Sequence, residues 1–160
     1  MKRRWGFVVS LLCVFAIAAW AADDPQVGHW KLDLARSKYV TGHAPMSSVA
    51  TVTPYGKDGV SVTIHVVNAQ GEKLDIRYSA EYDGKPYPRT ETGAGAVAGQ
   101  SVTLKRLDAR TAERIVYLAG KPAGKELWVI SPDGKTRTIT QSGIDPRGKP
   151  IDNVLVYNRQ

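Results

Sequence analysis

The chain has 160 residues, a formal charge of +7, 42% hydrophobic residues and one cysteine, Cys13. A single cysteine excludes a disulfide, and its place in an apolar leader removes zinc–thiolate sites and a cysteine nucleophile from the folded part. The positive residues alternate with Asp and Glu and form no basic run or basic helix, which argues against nucleic acid as a partner and leaves only unspecific attraction to anionic envelope surfaces.

The chain opens on Met1-Lys2-Arg3-Arg4, followed by an apolar run over 5–20 and by Ala19-Trp20-Ala21. A basic start, an apolar core and an A-x-A end predict a cleavable signal peptide over 1–21, cut after Ala21. The run, about 16 residues, is short of the roughly 20 that span a bilayer, so no membrane anchor is expected. Arg3-Arg4 fits a twin-arginine signal poorly, and Leu12 before Cys13 does not suit a lipoprotein site. The expected location is periplasmic or secreted. Residues 22–160 form one domain, long enough to bury roughly two-thirds of its unfolded surface.

From residue 27 onward, turn signals recur at even spacing: Lys57-Asp58-Gly59, Asn68-Ala69-Gln70-Gly71, Asp83-Gly84-Lys85, Ala119-Gly120-Lys121-Pro122 and Pro132-Asp133-Gly134-Lys135. Asp-Gly suits hairpin turns because glycine adopts positive backbone angles without a steric penalty. Between the turns lie runs rich in Val, Ile, Thr and Tyr. Over 60–66, Val60, Val62, Ile64 and Val66 share one face; over 74–82, Leu74, Ile76, Tyr78, Ala80 and Tyr82 oppose Asp75, Arg77, Ser79 and Glu81. This period of two predicts antiparallel strands with one buried face. Further strands are predicted near 27–33, 47–55, 100–107, 112–119, 125–131, 135–141 and 153–159, about nine in all. A single helical turn is predicted near 35–38, and 86–100 and 143–152 read as loops. Consecutive hairpins without helical crossovers give an all-β, antiparallel up-and-down meander of about eight to ten strands. It removes its open edges by closing into a barrel; a sandwich is the alternative.

Gly28-His29-Trp30 at the start of the first strand is similar to the Gly-x-Trp that opens lipocalins and fatty-acid-binding proteins, the calycin superfamily. Trp30-Lys31-Leu32-Asp33, Ser37-Lys38-Tyr39, the Asp-Gly-Lys turns and the terminal Val156-Tyr157-Asn158-Arg159 resemble small exported lipocalin-like proteins of soil bacteria. The resemblance implies a lipocalin-like barrel in which Trp30 plugs one end and Arg159 packs across its ring, Gly28, Trp30 and Arg159 together making the closure. Two features depart from the pattern: no C-terminal helix follows, and no cysteine pair ties the end of the chain to the barrel.

Residues that carry chemistry are sparse. His29, His43 and His65 lack histidine partners at metal-ligand spacing, so no metal site is expected and solvent or loop positions are the expectation for each. Glu72, Glu81, Glu91, Glu113 and Glu126 are scattered beside basic residues and read as surface charge. No Gly-x-Ser-x-Gly elbow occurs, and Gly93-Ala94-Gly95 with Gly99 has a phosphate loop's composition without its strand–loop–helix context. No catalytic residue and no cofactor are expected, although an isomerase or cyclase using a shaped pocket is an open reading. The candidate ligand-binding set is Tyr78, Tyr82, Tyr117 and Trp128, aromatics on predicted strands, with Arg106 and Arg137. Arg106 shares parity with Val102 and Leu104, Arg114 with Val116 and Leu118, and Arg137 with Ile139. If those faces point inward, one or two guanidiniums sit in the cavity and call for an anionic partner. If the opposite faces do, Thr136, Thr138 and Thr140 line it and the arginines reach solvent. The function expected is binding of a small, mostly apolar or carboxylate-bearing ligand in the barrel. The alternative is a structural or interaction protein of the envelope with a filled barrel and no ligand.

Overall fold

A computed structural model describes residues 24–40, 42–144 and 148–160; the signal-peptide reading of 1–21 lies outside the described residues. Eleven strands follow one another: β1 (Gly28–Leu32), β2 (Lys38–Tyr39), β3 (Ser47–Tyr55), β4 (Gly59–Val67), β5 (Lys73–Glu81), β6 (Tyr87–Gly93), β7 (Gln100–Arg106), β8 (Thr111–Leu118), β9 (Lys121–Ile130), β10 (Thr136–Ile144) and β11 (Pro150–Arg159). Every pairing is antiparallel, and from β3 to β11 each strand pairs with the next. β1 pairs with both β3 and β11, which closes a ten-stranded barrel. β2 pairs with Asn153 and Val154 of β11, further along the strand whose end holds β1, so β1 and β2 act as one strand interrupted by a turn.

The period of two decides which residues are inside. Trp30, Val52, Val60, Ala80, Leu104, Ala112 and Ile130 are buried and pack the closed half of the barrel. Small alanines stand between large neighbours there, as a tapering interior demands. The turns after β3, β5, β7 and β9 gather at this closed end. The turns after β4, β6, β8 and β10, with the 40–46 segment, ring the opposite end, the mouth.

Two segments expected to be loops carry strand. β6 (Tyr87–Gly93) lies within 86–100, and the end of β10 and the start of β11 lie within 143–152, where Ile144 pairs with Pro150 and Gly143 with Ile151. Hydrophobic alternation does not reveal β6 because its inward residues are Tyr87, Arg89 and Glu91, two of them charged. The expected turn near 35–38 forms at 34–37, where the Ser37 amide donates to the Leu34 carbonyl.

The barrel is sealed where its ends meet. The Arg159 guanidinium lies 4.2 Å from the Trp30 ring centre. It donates to the carbonyls of Gly134, Val27 and Pro25 at 2.7, 2.6 and 2.8 Å. Gly28 has φ +145°, and a Cβ there would overlap the Arg159 guanidinium, so the glycine is required by both backbone angle and space. Beneath them the 24–27 segment forms a floor. Gln26 is 1% exposed and its carbonyl accepts the Trp30 indole N–H at 3.0 Å. Asp24 receives Arg106 on both carboxylate oxygens and the Tyr82 hydroxyl at 3.0 Å.

Candidate functional site

Above the packed half, the interior turns polar. Strand register sets residues of this belt side by side: Arg114 opposite Glu126, Glu126 opposite Gln141, Gln141 opposite Asn153, and Arg89 opposite Gln100. Cross-strand neighbours on one face lie within reach of each other, and the side chains use it. Arg114 pairs with Glu126 at 2.6 Å and donates to the Tyr78 hydroxyl at 3.1 Å. Glu126 also accepts from the Trp128 indole at 2.7 Å and from Gln141 at 2.8 Å. Arg89 pairs with Glu91 at 2.7 Å and donates to Gln100. These are buried, charge-assisted contacts.

Arg137 stands apart from these pairs. It is 2% exposed, and its Nε and Nη1 have no hydrogen-bond partner. Three aromatic rings enclose its guanidinium, with centres at 5.0 Å (Trp30), 5.4 Å (Trp128) and 5.3 Å (Tyr157). The barrel interior thus carries three guanidiniums (Arg89, Arg114, Arg137) and, among the described residues, two carboxylates (Glu91, Glu126). Burial drives the Arg137 pKa below the usual guanidinium range. Burial also opposes the charge of Glu126, but the Arg114 guanidinium and the bonds from Trp128 and Gln141 outweigh it and hold the carboxyl below its ordinary range. Arg114 shifts up against its own desolvation, chiefly through Glu126.

The belt borders a cavity of about 310 Å³ that runs toward the mouth, with Arg89, Arg114, Glu126, Arg137 and Trp128 on its wall. Val62, Ile64, Ile76, Ile139 and Leu155 give it an apolar side, and His43, Pro45 and Asn68 stand at its opening. The Ser48 and Tyr157 hydroxyls, bonded to each other at 3.0 Å, border it beside Arg137. Three cations, two hydroxyls and an aliphatic wall can hold a small molecule with one anionic group. The Glu126 oxygens are already engaged by Arg114, Trp128 and Gln141, so the belt presents its guanidiniums to the cavity more than its carboxylates.

The six candidate ligand residues separate. Trp128 and Arg137 line the cavity. Tyr78 lies beneath it and orients Arg114. Tyr82 and Arg106 are in the floor, where Arg106 stacks 4.0 Å from the Tyr82 ring centre and bridges Asp24 and Asp58. Tyr117 is on the outer wall beside Ser101 and Thr103. Of the two parities left open, the apolar faces of β8 and β10 point inward with Arg114 and Arg137; Thr136, Thr138 and Thr140 face outward. Glu126 and Glu91 are corrections: both were read as surface charge, yet both are buried in ion pairs. Parity with Trp128 and Ile130 is the signal that finds Glu126. His29 and His65 are exposed, bonded to Thr51 (3.2 Å) and Asp75 (2.7 Å). Among the described residues no three His, Cys, Asp or Glu side chains converge on a point that would hold a metal, and no helix is long and apolar enough to cross a membrane.

No model of a known protein family matches the chain, and no curated protein sequence matches it.

Proposed function

We propose that this protein is an exported, lipocalin-like carrier that binds a small, mostly apolar molecule bearing one negative charge, with the charged group at Arg137. The observation that carries the reading is the unmatched guanidinium in a cavity of ligand size. A buried cation without a counter-charge is costly, whereas the Arg89 and Arg114 charges are already met by glutamates. A ligand carboxylate would complete the set, and its apolar body would lie against Ile64, Ile76, Ile139 and Leu155. The volume is at the small end of ligand pockets, which favours a compact acid over a long chain. Export is part of the proposal and rests on the composition of residues 1–21.

Titration with compact aryl and branched aliphatic carboxylic acids tests it. The two tryptophans of 22–160, Trp30 and Trp128, both flank Arg137, so their fluorescence reports occupancy directly. Acids are expected to quench saturably, and the corresponding methyl esters and amines to bind at least about tenfold more weakly. Equal response to acid and ester, or no response from either, would remove the proposal. The filled-barrel alternative predicts the latter.

A further inference from the structure

Beside Arg137 the cavity wall carries a pair of hydroxyls whose bonding is incomplete. Strand register sets Tyr157 of β11 directly opposite Arg137 of β10, and the guanidinium carbon lies 5.3 Å from the Tyr157 ring centre. The Tyr157 hydroxyl meets that of Ser48 on β3 at 3.0 Å, and both residues border the cavity. Both are more than nine-tenths buried, Ser48 at 3% exposed and Tyr157 at 5%. Ser48 shares the inward face of β3 with Ala50 and Val52, so its hydroxyl stands on an otherwise apolar face.

Two hydroxyls carry two protons, and each oxygen can also accept. The bond between Ser48 and Tyr157 uses one proton, and neither hydroxyl makes a second bond among the described residues. One proton is therefore left without an acceptor, and lone pairs stay free on both oxygens. Burial raises the Tyr157 pKa, so the phenol keeps its proton at neutral pH. The charged belt does not compete for these groups: Glu126 holds Arg114, Trp128 and Gln141, and Arg89 holds Glu91 and Gln100.

A hydroxyl on the ligand answers both needs, because it accepts the free proton and donates to a free lone pair. Its place on the ligand follows from that of Arg137. Guanidinium and phenol are neighbours across one strand pairing, so the ligand hydroxyl stands close to the carboxylate. Resting on the reading of the cavity as a site for an organic acid, we propose that its ligands are 2-hydroxy acids, with the carboxylate on Arg137 and the hydroxyl on the Ser48–Tyr157 pair. The hydrocarbon body lies against Ile64 and Ile76. These three contacts come from different strands, so a carbon bearing the three groups fits in one hand only and the site distinguishes mirror images. A 2-amino acid fits less well, because its ammonium would enter a space bordered by three guanidiniums and two carboxylates.

Titration of tryptophan fluorescence with phenylacetate, the two enantiomers of mandelate, and phenylglycine tests this. One mandelate enantiomer is expected to bind at least about fivefold more tightly than phenylacetate and than its mirror image. A site that hydrogen-bonds a ligand hydroxyl disfavours the analogue lacking it, whose apolar surface covers the unmet donor. Phenylglycine is expected to bind more weakly than phenylacetate. Ser48→Ala with Tyr157→Phe removes only two oxygens and should bring the mandelate-to-phenylacetate ratio below about twofold. Any change common to both acids cancels in that ratio, and circular dichroism checks that the variant is folded. If it is not, the two ratios of the parent protein decide alone. Phenylacetate binding with no gain for either mandelate, equal binding of the mirror images, or a preference that persists in the variant would each overturn this inference while leaving the carboxylate reading in place. No response to any of the acids would remove both.

Discussion

Arg137→Met separates a ligand-binding arginine from a structural one. The substitution keeps a long apolar stem against Trp30, Trp128 and Tyr157 and removes the guanidinium that they enclose. Burying an unpaired charge costs several kcal/mol even after relaxation, and stacking on aromatic rings offsets on the order of 2 kcal/mol of that when desolvated. The guanidinium also leaves two N–H groups, Nε and Nη1, without acceptors, and each buried unmet donor costs roughly 1–3 kcal/mol. The balance is against the charge. The Met variant is therefore expected to be as stable as the parent or more stable by about 1 kcal/mol, read as the midpoint of urea unfolding at constant slope. Binding should move the other way. Losing hydrogen bonds to a charged ligand costs roughly 1.5–3 kcal/mol, a fall of about 10- to 150-fold in affinity for a carboxylate ligand. Stability that rises as affinity falls marks a residue kept for function. A variant destabilised by more than about 2 kcal/mol with ligand affinity unchanged would refute the reasoning and make Arg137 a packing element.

The matched pairs predict the opposite behaviour. Glu126→Gln strands Arg114 in the interior and should cost about 3–5 kcal/mol in urea unfolding. Because the folded state depresses the Glu126 pKa, its contribution is complete above the unfolded carboxylate value near ~4.3 and is lost as pH falls through the folded one. Thermal midpoints should thus be level from neutral pH to about pH 5 and drop below about pH 4, with a shallower drop in Glu126→Gln. Asp24→Ala removes the floor carboxylate that takes Arg106 and Tyr82; it should cost about 1–3 kcal/mol without changing ligand affinity in the fluorescence titration. Gly28→Ala forces a Cβ onto Arg159 at φ +145° and should cost about 2–3 kcal/mol. Tyr117→Ala, on the outer wall, should leave ligand affinity within about twofold of the parent.

The barrel was legible because most inward positions are apolar. Val60, Val62 and Ile64 on β4, and Ile76, Tyr78 and Ala80 on β5, announce strand, period and buried face together. The closure was legible for another reason: Gly28, Trp30 and Arg159 are chemically specific and lie at opposite ends of the folded chain. The belt was not legible as a belt. Hydrophobic alternation fails where the inside is charged, and this hid β6 and consigned Glu91 and Glu126 to the surface. Parity put Arg106, Arg114 and Arg137 on equal footing, but height along the barrel distinguishes them. Arg106 ends β7 at the floor, while Arg114 and Arg137 stand further in. Height depends on strand stagger around the closed sheet, and no local pattern encodes it.

Stability and binding are divided along the barrel axis. The closed half is packed with Trp30, Leu104, Ile130 and small alanines and locked from below by Asp24, Arg106 and Arg159. These contacts do not involve the cavity. The open half spends stability: two buried ion pairs that roughly break even against apolar packing, and one guanidinium that does not. Such an interior is tolerable only where the remainder of the fold holds the strands at fixed spacing, because a wall free to relax would admit water or collapse onto Arg137 and quench its unmet donors. The floor is thus what keeps an uncompensated charge available inside the barrel. Weakening it through Asp24 or Gly28 should lower stability, whereas removing the charge itself should not.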